Sequence, residues 1–279
     1  MEAFQHQLLT LTGALICFCT LVKCIKFIKC IFSRIWSALP RTFFPSLGEW
    51  AVVTGAGDGL GKAYSFELAK RGLNIVMISR TLEKLQRAAS EVEQATGQKV
   101  KVIQADFTTD SIYENIEKSL QGLDIGVLVN NVGMLHNPLP CRFLNGPDID
   151  EVGLLCGMDI IHNTLVLQMT KIILKHMEPR QKGLILNLSS GLGTFPCPLY
   201  TTYSASKAFI KTFSKALQAE YKEKGIIIQV VAPYGVSTPM TMYQKPGLIT
   251  KTAEEFVSES LDYVTFGDEI FGCLAHEML

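Results

Sequence analysis

The sequence is short of charge and has no surplus of either sign. Asp, Glu, Lys and Arg make up only 19% of its 279 residues, and 26 basic residues balance 26 acidic ones. Nucleic-acid binders carry a basic surplus, so this balance argues against such a partner. Among the eight cysteines there is no CxxC pair, and no Cys/His grid with ligand spacing accompanies them, which argues against a metal site. Their scatter does not suit a disulfide framework and fits a reducing compartment. Low-complexity linkers and internal repeats are missing. With hydrophobic residues at 48%, the bulk of the chain is not disordered. The length leaves room for one large α/β domain or two small ones.

What is present is unevenly spread. The first fifty residues carry five basic side chains (Lys23, Lys26, Lys29, Arg34, Arg41) against two acidic ones (Glu2, Glu49). Residues 8–22 form a charge-free apolar run, and residues 24–36 repeat lysine among Ile, Phe and Cys in the manner of an interfacial amphipathic helix. The positive charges follow the apolar run rather than precede it, which favours a retained anchor over a cleaved signal peptide. The positive-inside rule then puts the N-terminus in a lumen and the rest in the cytosol. The expected division is an anchor and basic segment over 1–47 and a catalytic domain over 48–279.

From residue 50 on, apolar runs alternate with helical periodicity. Strands are expected at 50–54, 73–79, 99–104, 124–130, 183–188 and 226–232, with helices at 60–71, 82–96, 111–121, 164–177 and 203–224. Solidly apolar strands between helices predict a parallel sheet covered on both faces. Six such units make a doubly wound, Rossmann-type α/β fold, with the ligand at the carboxyl ends of the strands.

After the first strand comes Thr54-Gly55-Ala56-Gly57-Asp58-Gly59-Leu60-Gly61. Glycines between a strand and a helix let backbone amides approach a pyrophosphate. The second strand ends in Ser79-Arg80, where an acid would select NAD. A guanidinium suits a 2′-phosphate, so NADPH is the expected cofactor.

Ser190 follows the fifth strand, Tyr203 lies thirteen residues on, and Lys207 lies four beyond that. Tyr203 and Lys207 therefore share a helix face. A free tyrosine has a pKa near ~10, and a neighbouring ammonium favours its phenolate. This spacing predicts Tyr203 as proton donor to a carbonyl, Lys207 as its electrostatic partner and Ser190 as the group that orients the carbonyl oxygen.

Together TGAGDGLG, NNVG at 130–133, Ser189-Ser190-Gly191, YSASK at 203–207 and residues 233–238 resemble the short-chain dehydrogenase/reductase family over about residues 48–270. The resemblance implies that Gly55, Gly59 and Gly61 line the pyrophosphate, that Asp58 and Leu60 belong to the cofactor site beside them, and that Arg80 meets the 2′-phosphate. Asp106 would face the adenine and Asn130 support the adenosine side. Lys207 would touch the nicotinamide ribose, and Val236 and Thr238 would hold the carboxamide. The implied reaction is reduction of the 17-keto group of androstenedione to testosterone at the cytosolic face of the endoplasmic reticulum membrane. A homodimer through the helix bearing YxxxK is implied as well.

Three features depart from the family pattern. The asparagine of the family's proton relay falls on His162, with Asn163 one residue away and so turned by about 100°. Tyr234 stands where many members have glycine. The chain stops at Leu279, where the resemblance implies a further apolar tail. Residues 191–202 and 239–256 would form the variable side of the pocket, with Phe195, Pro196, Leu199, Tyr200, Met240, Met242 and Tyr243 suiting a flat apolar ligand or a fatty acyl chain. A very-long-chain 3-ketoacyl-CoA reductase and an inactive membrane-bound interaction protein are the alternatives. The sequon at Asn187 sits in an expected buried strand and should carry no sugar.

Overall fold

The computed structural model describes residues 2–36, 39–107, 112–135, 139–145 and 149–279, with the side chains of 149–162 and of parts of the first helix outside the description. The chain divides into an N-terminal unit ending at Leu39 and a second unit that begins at Pro40.

The first unit is one helix, α1 (Glu2–Trp36), so the two N-terminal segments read from sequence are continuous. Within it Phe4–Ile25, 22 residues, is long and apolar enough to cross a membrane. At 1.5 Å per residue this is about 33 Å, against about 30 Å of bilayer hydrocarbon. Leu9, Leu11, Leu15, Phe18 and Leu21 are all exposed. A helix this long with apolar residues exposed along its length is a candidate membrane anchor.

The second unit opens with α2 (Phe43–Leu47), which buries Phe44 and Leu47. Gly48 follows against Gly126, so close that a Cβ on Gly48 would lie 2.6 Å from the Gly126 nitrogen. Arg180 ties this entry down, donating to the Leu47 carbonyl at 3.0 Å and pairing with Asp124. The compact unit thus reaches eight residues further upstream than the expected start at 48, because α2 packs against β4 at the centre of the sheet.

Then come β1 (Trp50–Thr54), α3 (Gly59–Lys70), β2 (Asn74–Ser79), α4 (Leu82–Thr96), β3 (Val100–Gln104), α5 (Ile112–Leu120), β4 (Ile125–Asn130), α6 (Ile149–Met177), β5 (Gly183–Leu188), α7 (Thr201–Tyr221), β6 (Ile226–Val231), β7 (Val236–Ser237), β8 (Lys251–Thr252), α8 (Ala253–Asp262), β9 (Glu269–Ile270) and α9 (Leu274–Glu277). Seven strands make one parallel sheet in the order β3-β2-β1-β4-β5-β6-β9. Every residue of β4 and β5 is buried, which is why these strands read as apolar runs without alternation. On one face Val52, Leu128, Ile185 and Ile228 pack against Leu165, Met169, Ile173 and Met177 of α6. On the other, α3 meets α8, where the Tyr64 hydroxyl is 2.8 Å from the Ser260 hydroxyl.

The expected strands and helices are all present, and the doubly wound Rossmann-type fold is observed. Differences lie at the ends. Helix α6 begins at Ile149 rather than at 164, since Gly153, Gly157 and the acids Asp150, Glu151 and Asp159 interrupt the apolar residues and hide the 3.6-residue period. Strands β7, β8 and β9 have two residues each, too few for periodicity to register. Helix α8 was legible in principle: Thr252 and Glu255 form a capping box, the T-x-x-E signature of a helix start.

Candidate active site

Because β1 pairs with both β2 and β4, the strand order reverses there and a crevice opens at the strands' carboxyl ends. A cavity of about 360 Å³ occupies it.

The glycine loop builds one wall. Gly55 turns the chain at φ +65° and Gly59 opens α3 at φ +51°, conformations that side chains with a Cβ rarely adopt. The N–H groups of Gly55 and Ala56 donate to the Ile78 carbonyl at 2.8 and 3.3 Å, anchoring the loop on β2. A Cβ on Gly61 would lie 2.1 Å from the Gly55 oxygen, so the first turn of α3 packs directly beneath the loop. Gly61 is therefore a packing residue and does not border the cavity, whereas Gly55, Asp58, Gly59 and Leu60 do.

At the end of β2, Ser79, Arg80 and Thr81 line the cavity, as do Asp106 and Phe107 beyond β3. Gln104 donates to the Arg80 carbonyl at 3.0 Å and holds that backbone in place.

Asn130 lies behind the cavity rather than on it. It is 1% exposed and donates to Asn187 Oδ1 at 2.8 Å and Thr170 Oγ1 at 3.1 Å. Its neighbour Asn131 borders the cavity, donating through Nδ2 to the carbonyls of Thr54 at 3.2 Å and Gly55 at 3.3 Å. Consecutive residues at a strand end face opposite ways, so of the two asparagines only the second reaches the glycine loop. Asn187 is fully buried and donates to Ser214, which leaves the sequon inaccessible.

Ser190, Tyr203 and Lys207 converge on the same cavity. Lys207 is 6% exposed and its Nζ donates to the Leu188 carbonyl at 3.1 Å. The same nitrogen lies 5.7 Å from the centroid of the Tyr203 ring. Three neighbours confine this lysine. Ser189 donates to its backbone carbonyl at 2.7 Å, and Cβ atoms on Gly133 and Gly193 would come within 3.0 Å of its Nζ and 2.8 Å of its Cβ. Ser190 Oγ accepts from the Leu192 N–H at 3.2 Å, so the hydroxyl hydrogen is left to donate elsewhere. The arrangement sets a phenol, a buried lysine and a hydroxyl around one cavity.

On the far side, Val236 and Thr238 line the cavity. Thr238 stands 3.5 Å from where a Gly59 Cβ would be and is fixed by its N–H donating to Thr241 Oγ1 at 3.0 Å. Tyr234 is accommodated by the fold, its ring lying over Gly191, where a Cβ would come within 2.3 Å of the ring. Of the apolar residues expected around the substrate, Met240 borders the cavity. Phe195, Leu199, Met242 and Tyr243 are exposed.

Asn163 does not border the cavity. Its Oδ1 accepts from Ser206 Oγ at 3.1 Å, joining α6 to α7 one residue before Lys207. The side chain of His162 and all of His136 lie outside the described residues. Among the described residues no cluster of metal-ligating side chains occurs.

Residues 49–248 match the family described as short chain dehydrogenase. The chain belongs to that family. It is an oxidoreductase, and its fold is one that binds a nicotinamide cofactor. Among curated proteins it is 61% identical to the 17-beta-hydroxysteroid dehydrogenase type 3 of Homo sapiens over 98% of this chain and 87% of that one. It is 48% identical to the very-long-chain 3-oxoacyl-CoA reductase of Anas platyrhynchos over 88% of this chain and 79% of the relative. Among solved structures, a 7beta-hydroxysteroid dehydrogenase superposes with a TM-score of 0.71 at 26% identity, covering 82% of this chain and 90% of its own.

The residues present suit a phosphate-bearing cofactor: Gly57 has no side chain to stand between the loop and Ser79, Arg80 and Lys84, and all four line the cavity. Among the cavity-lining residues to which sequence reasoning gave no role are Asn131 and Lys84. The paired asparagines in NNVG were a visible signal for the first. For Lys84 the signal was weaker: its place one helical turn after Arg80.

Proposed function

We propose that this chain is an NADPH-dependent 17-ketosteroid reductase that converts androstenedione to testosterone. The observation that carries this reading is the 61% identity, over nearly the whole chain, to a 17-beta-hydroxysteroid dehydrogenase. It is supported by the convergence of Ser190, Tyr203 and Lys207 on the cavity that holds the glycine loop.

NADPH, when bound, supplies the hydride. The chain's own residues manage the carbonyl oxygen. Ser190 donates a hydrogen bond to it and fixes its direction. Tyr203 transfers its phenolic proton to the same oxygen as negative charge grows there. Lys207, held beside the ring, stabilises the charge left on the phenol. Arg80 at the end of β2 supports the preference for a 2′-phosphate, and Met240, which borders the cavity, suits a hydrophobic substrate.

The span Phe4–Ile25, with Lys23 near its end and Lys26 and Lys29 beyond it, supports retention in the endoplasmic reticulum membrane with the catalytic unit in the cytosol. The stacked, partly exposed pair Phe209 and Phe213 on α7, 6.2 Å apart, is where a second copy would associate.

A 3-oxoacyl-CoA reductase is the second reading, favoured by the 48% identical relative. Residues 239–256 carry only two lysines, Lys245 and Lys251, a sparse set for the phosphates of CoA. Membranes containing the full chain, given NADPH and either androstenedione or a long-chain 3-oxoacyl-CoA, test the two. Testosterone formation that vanishes in Tyr203→Phe supports the steroid reading. Turnover of the thioester alone replaces it with the second.

A further inference from the structure

Asp58 occupies the N-cap of α3 but does not cap it. Its backbone is extended (φ −156°, ψ −177°), as an N-cap requires, yet its side chain makes no bond to the helix's first N–H groups. The carboxylate turns away and accepts from Lys84 Nζ at 3.0 Å. Lys84 lies in the first turn of α4, so the pair bridges the glycine loop and the helix that follows β2. Both residues line the cofactor cavity beside Ser79, Arg80 and Thr81. Gly57 forms the floor between them, where a Cβ would lie 3.6 Å from Lys84 Cβ and 3.5 Å from Ser79 Oγ.

Fold stability does not explain this pair. The two side chains are 60% and 51% exposed, and exposed ion pairs contribute little. An aspartate at an N-cap is normally worth more when it caps. Asp58 forgoes that bond and holds an ammonium at the rim of a cavity instead. A carboxylate there would repel an entering phosphate unless a cation neutralised it, and Lys84 is the cation in contact.

We propose that Lys84 is a second anchor for the 2′-phosphate of NADPH, and that Asp58 stands in for that phosphate until cofactor binds. The proposal rests on the NADPH reading above. Arg80 presents a planar guanidinium from the end of β2, while Lys84 presents a point charge from α4. When the phosphate enters, the ammonium exchanges one anion for another, and Asp58 is released to cap α3. Asp58 thus opposes binding by competing for Lys84, and its removal strengthens the site.

Calorimetric titration of the full chain in detergent with 2′,5′-ADP and with 5′-ADP, nucleotides that differ by the one phosphate, tests this without turnover. Wild type should prefer 2′,5′-ADP. Lys84→Met should weaken 2′,5′-ADP about tenfold and leave 5′-ADP unchanged, whereas Asp58→Asn should tighten 2′,5′-ADP several-fold. Unaltered 2′,5′-ADP affinity in Lys84→Met, or an equal loss for both nucleotides, overturns the role of Lys84. If Arg80→Met abolishes the preference while Lys84→Met retains it, Lys84 falls and the NADPH reading stands. A wild type that does not distinguish the nucleotides removes both. Circular dichroism melting of each variant checks that the fold is intact.

Discussion

The ammonium of Lys207 lies 5.7 Å from the centre of the Tyr203 ring while donating to the Leu188 carbonyl. One residue of α7 is thus tied to the end of β5 and faces the phenol one turn before it. The lysine's direction is set by the sheet, and the tyrosine inherits a fixed cationic neighbour. Tyr203→Phe should lower the rate of carbonyl reduction by about 10²–10⁴-fold and leave nucleotide affinity within twofold of wild type. Lys207→Met should lower both. Single-turnover kinetics alongside cofactor titration separates the two effects, and loss of nucleotide binding in Tyr203→Phe would contradict the assignment.

Two glycines of the loop should fail in different ways. Gly61→Ala drives a Cβ to 2.1 Å from the Gly55 oxygen, a backbone atom without freedom to retreat. Such overpacking costs about 1–3 kcal/mol, and the displaced loop should also lose cofactor. Gly57→Ala meets only ordinary contacts at 3.5 Å and beyond. Its melting temperature should match wild type while cofactor affinity falls, because the added methyl enters the cavity. Equal melting temperatures for both variants would show that the contact beneath the loop is relaxed in solution.

Much of this architecture was legible because burial and chemistry coincide in the sequence. Strands β4 and β5 are buried throughout and read as unbroken apolar runs. The Ser190, Tyr203 and Lys207 spacing needs only one strand end and one helix turn to bring the groups together. What escaped detection lacks such coincidence. Asn130 and Asn131 are identical in type, and only the direction of a strand end decides that one supports the sheet and the other the loop. Lys84 resembles any surface lysine of an amphipathic helix until the fold sets it against Asp58. His276, in the four-residue helix α9, carries no local signal of its burial.

That histidine should give the protein a distinct acid response. His276 is fully buried, accepts from the Tyr234 N–H through Nδ1 at 3.3 Å, and lies 2.9 Å from the Ile249 carbonyl through Nε2, which therefore carries the hydrogen. Burial, assisted by the Lys251 charge, holds its pKa below the usual histidine value. The unfolded chain takes up a proton near pH ~6.5 that the folded chain refuses, so His276 contributes stability that is fully present above that pH and lost as pH falls below it. Melting temperatures of wild type and His276→Gln, measured from pH 7.5 to 5.5, should therefore converge towards the acid end. A constant difference between them would mean that the imidazole does not titrate differently on folding.

Removal of the anchor should separate localisation from folding. The unit that begins at Pro40 has its own core, sealed by Phe44 and Leu47, and no described residue of the apolar span is buried. Deleting residues 2–36 should release the protein from carbonate-washed membranes and leave the unfolding transition of the catalytic unit unchanged. A lowered transition in the presence of detergent would show that the helix contributes to the fold.

Asn163 offers a last test, of whether the asparagine beside the family's relay position takes part in proton transfer. Its Oδ1 is engaged by Ser206, buried on α7 next to Lys207, and it does not reach the cavity. A side chain committed to joining two helices is a positioning group. Losing one neutral hydrogen bond of this kind costs about 1 kcal/mol, so Asn163→Leu should lower stability by that amount. It should shift the rate modestly through the placement of Lys207, and leave the pH dependence of the rate unmoved. Ser206→Ala should produce the same change, and the double variant should cost no more than either single one, since both remove one bond. A displaced pH profile in Asn163→Leu with a normal profile in Ser206→Ala would instead place Asn163 in the proton path.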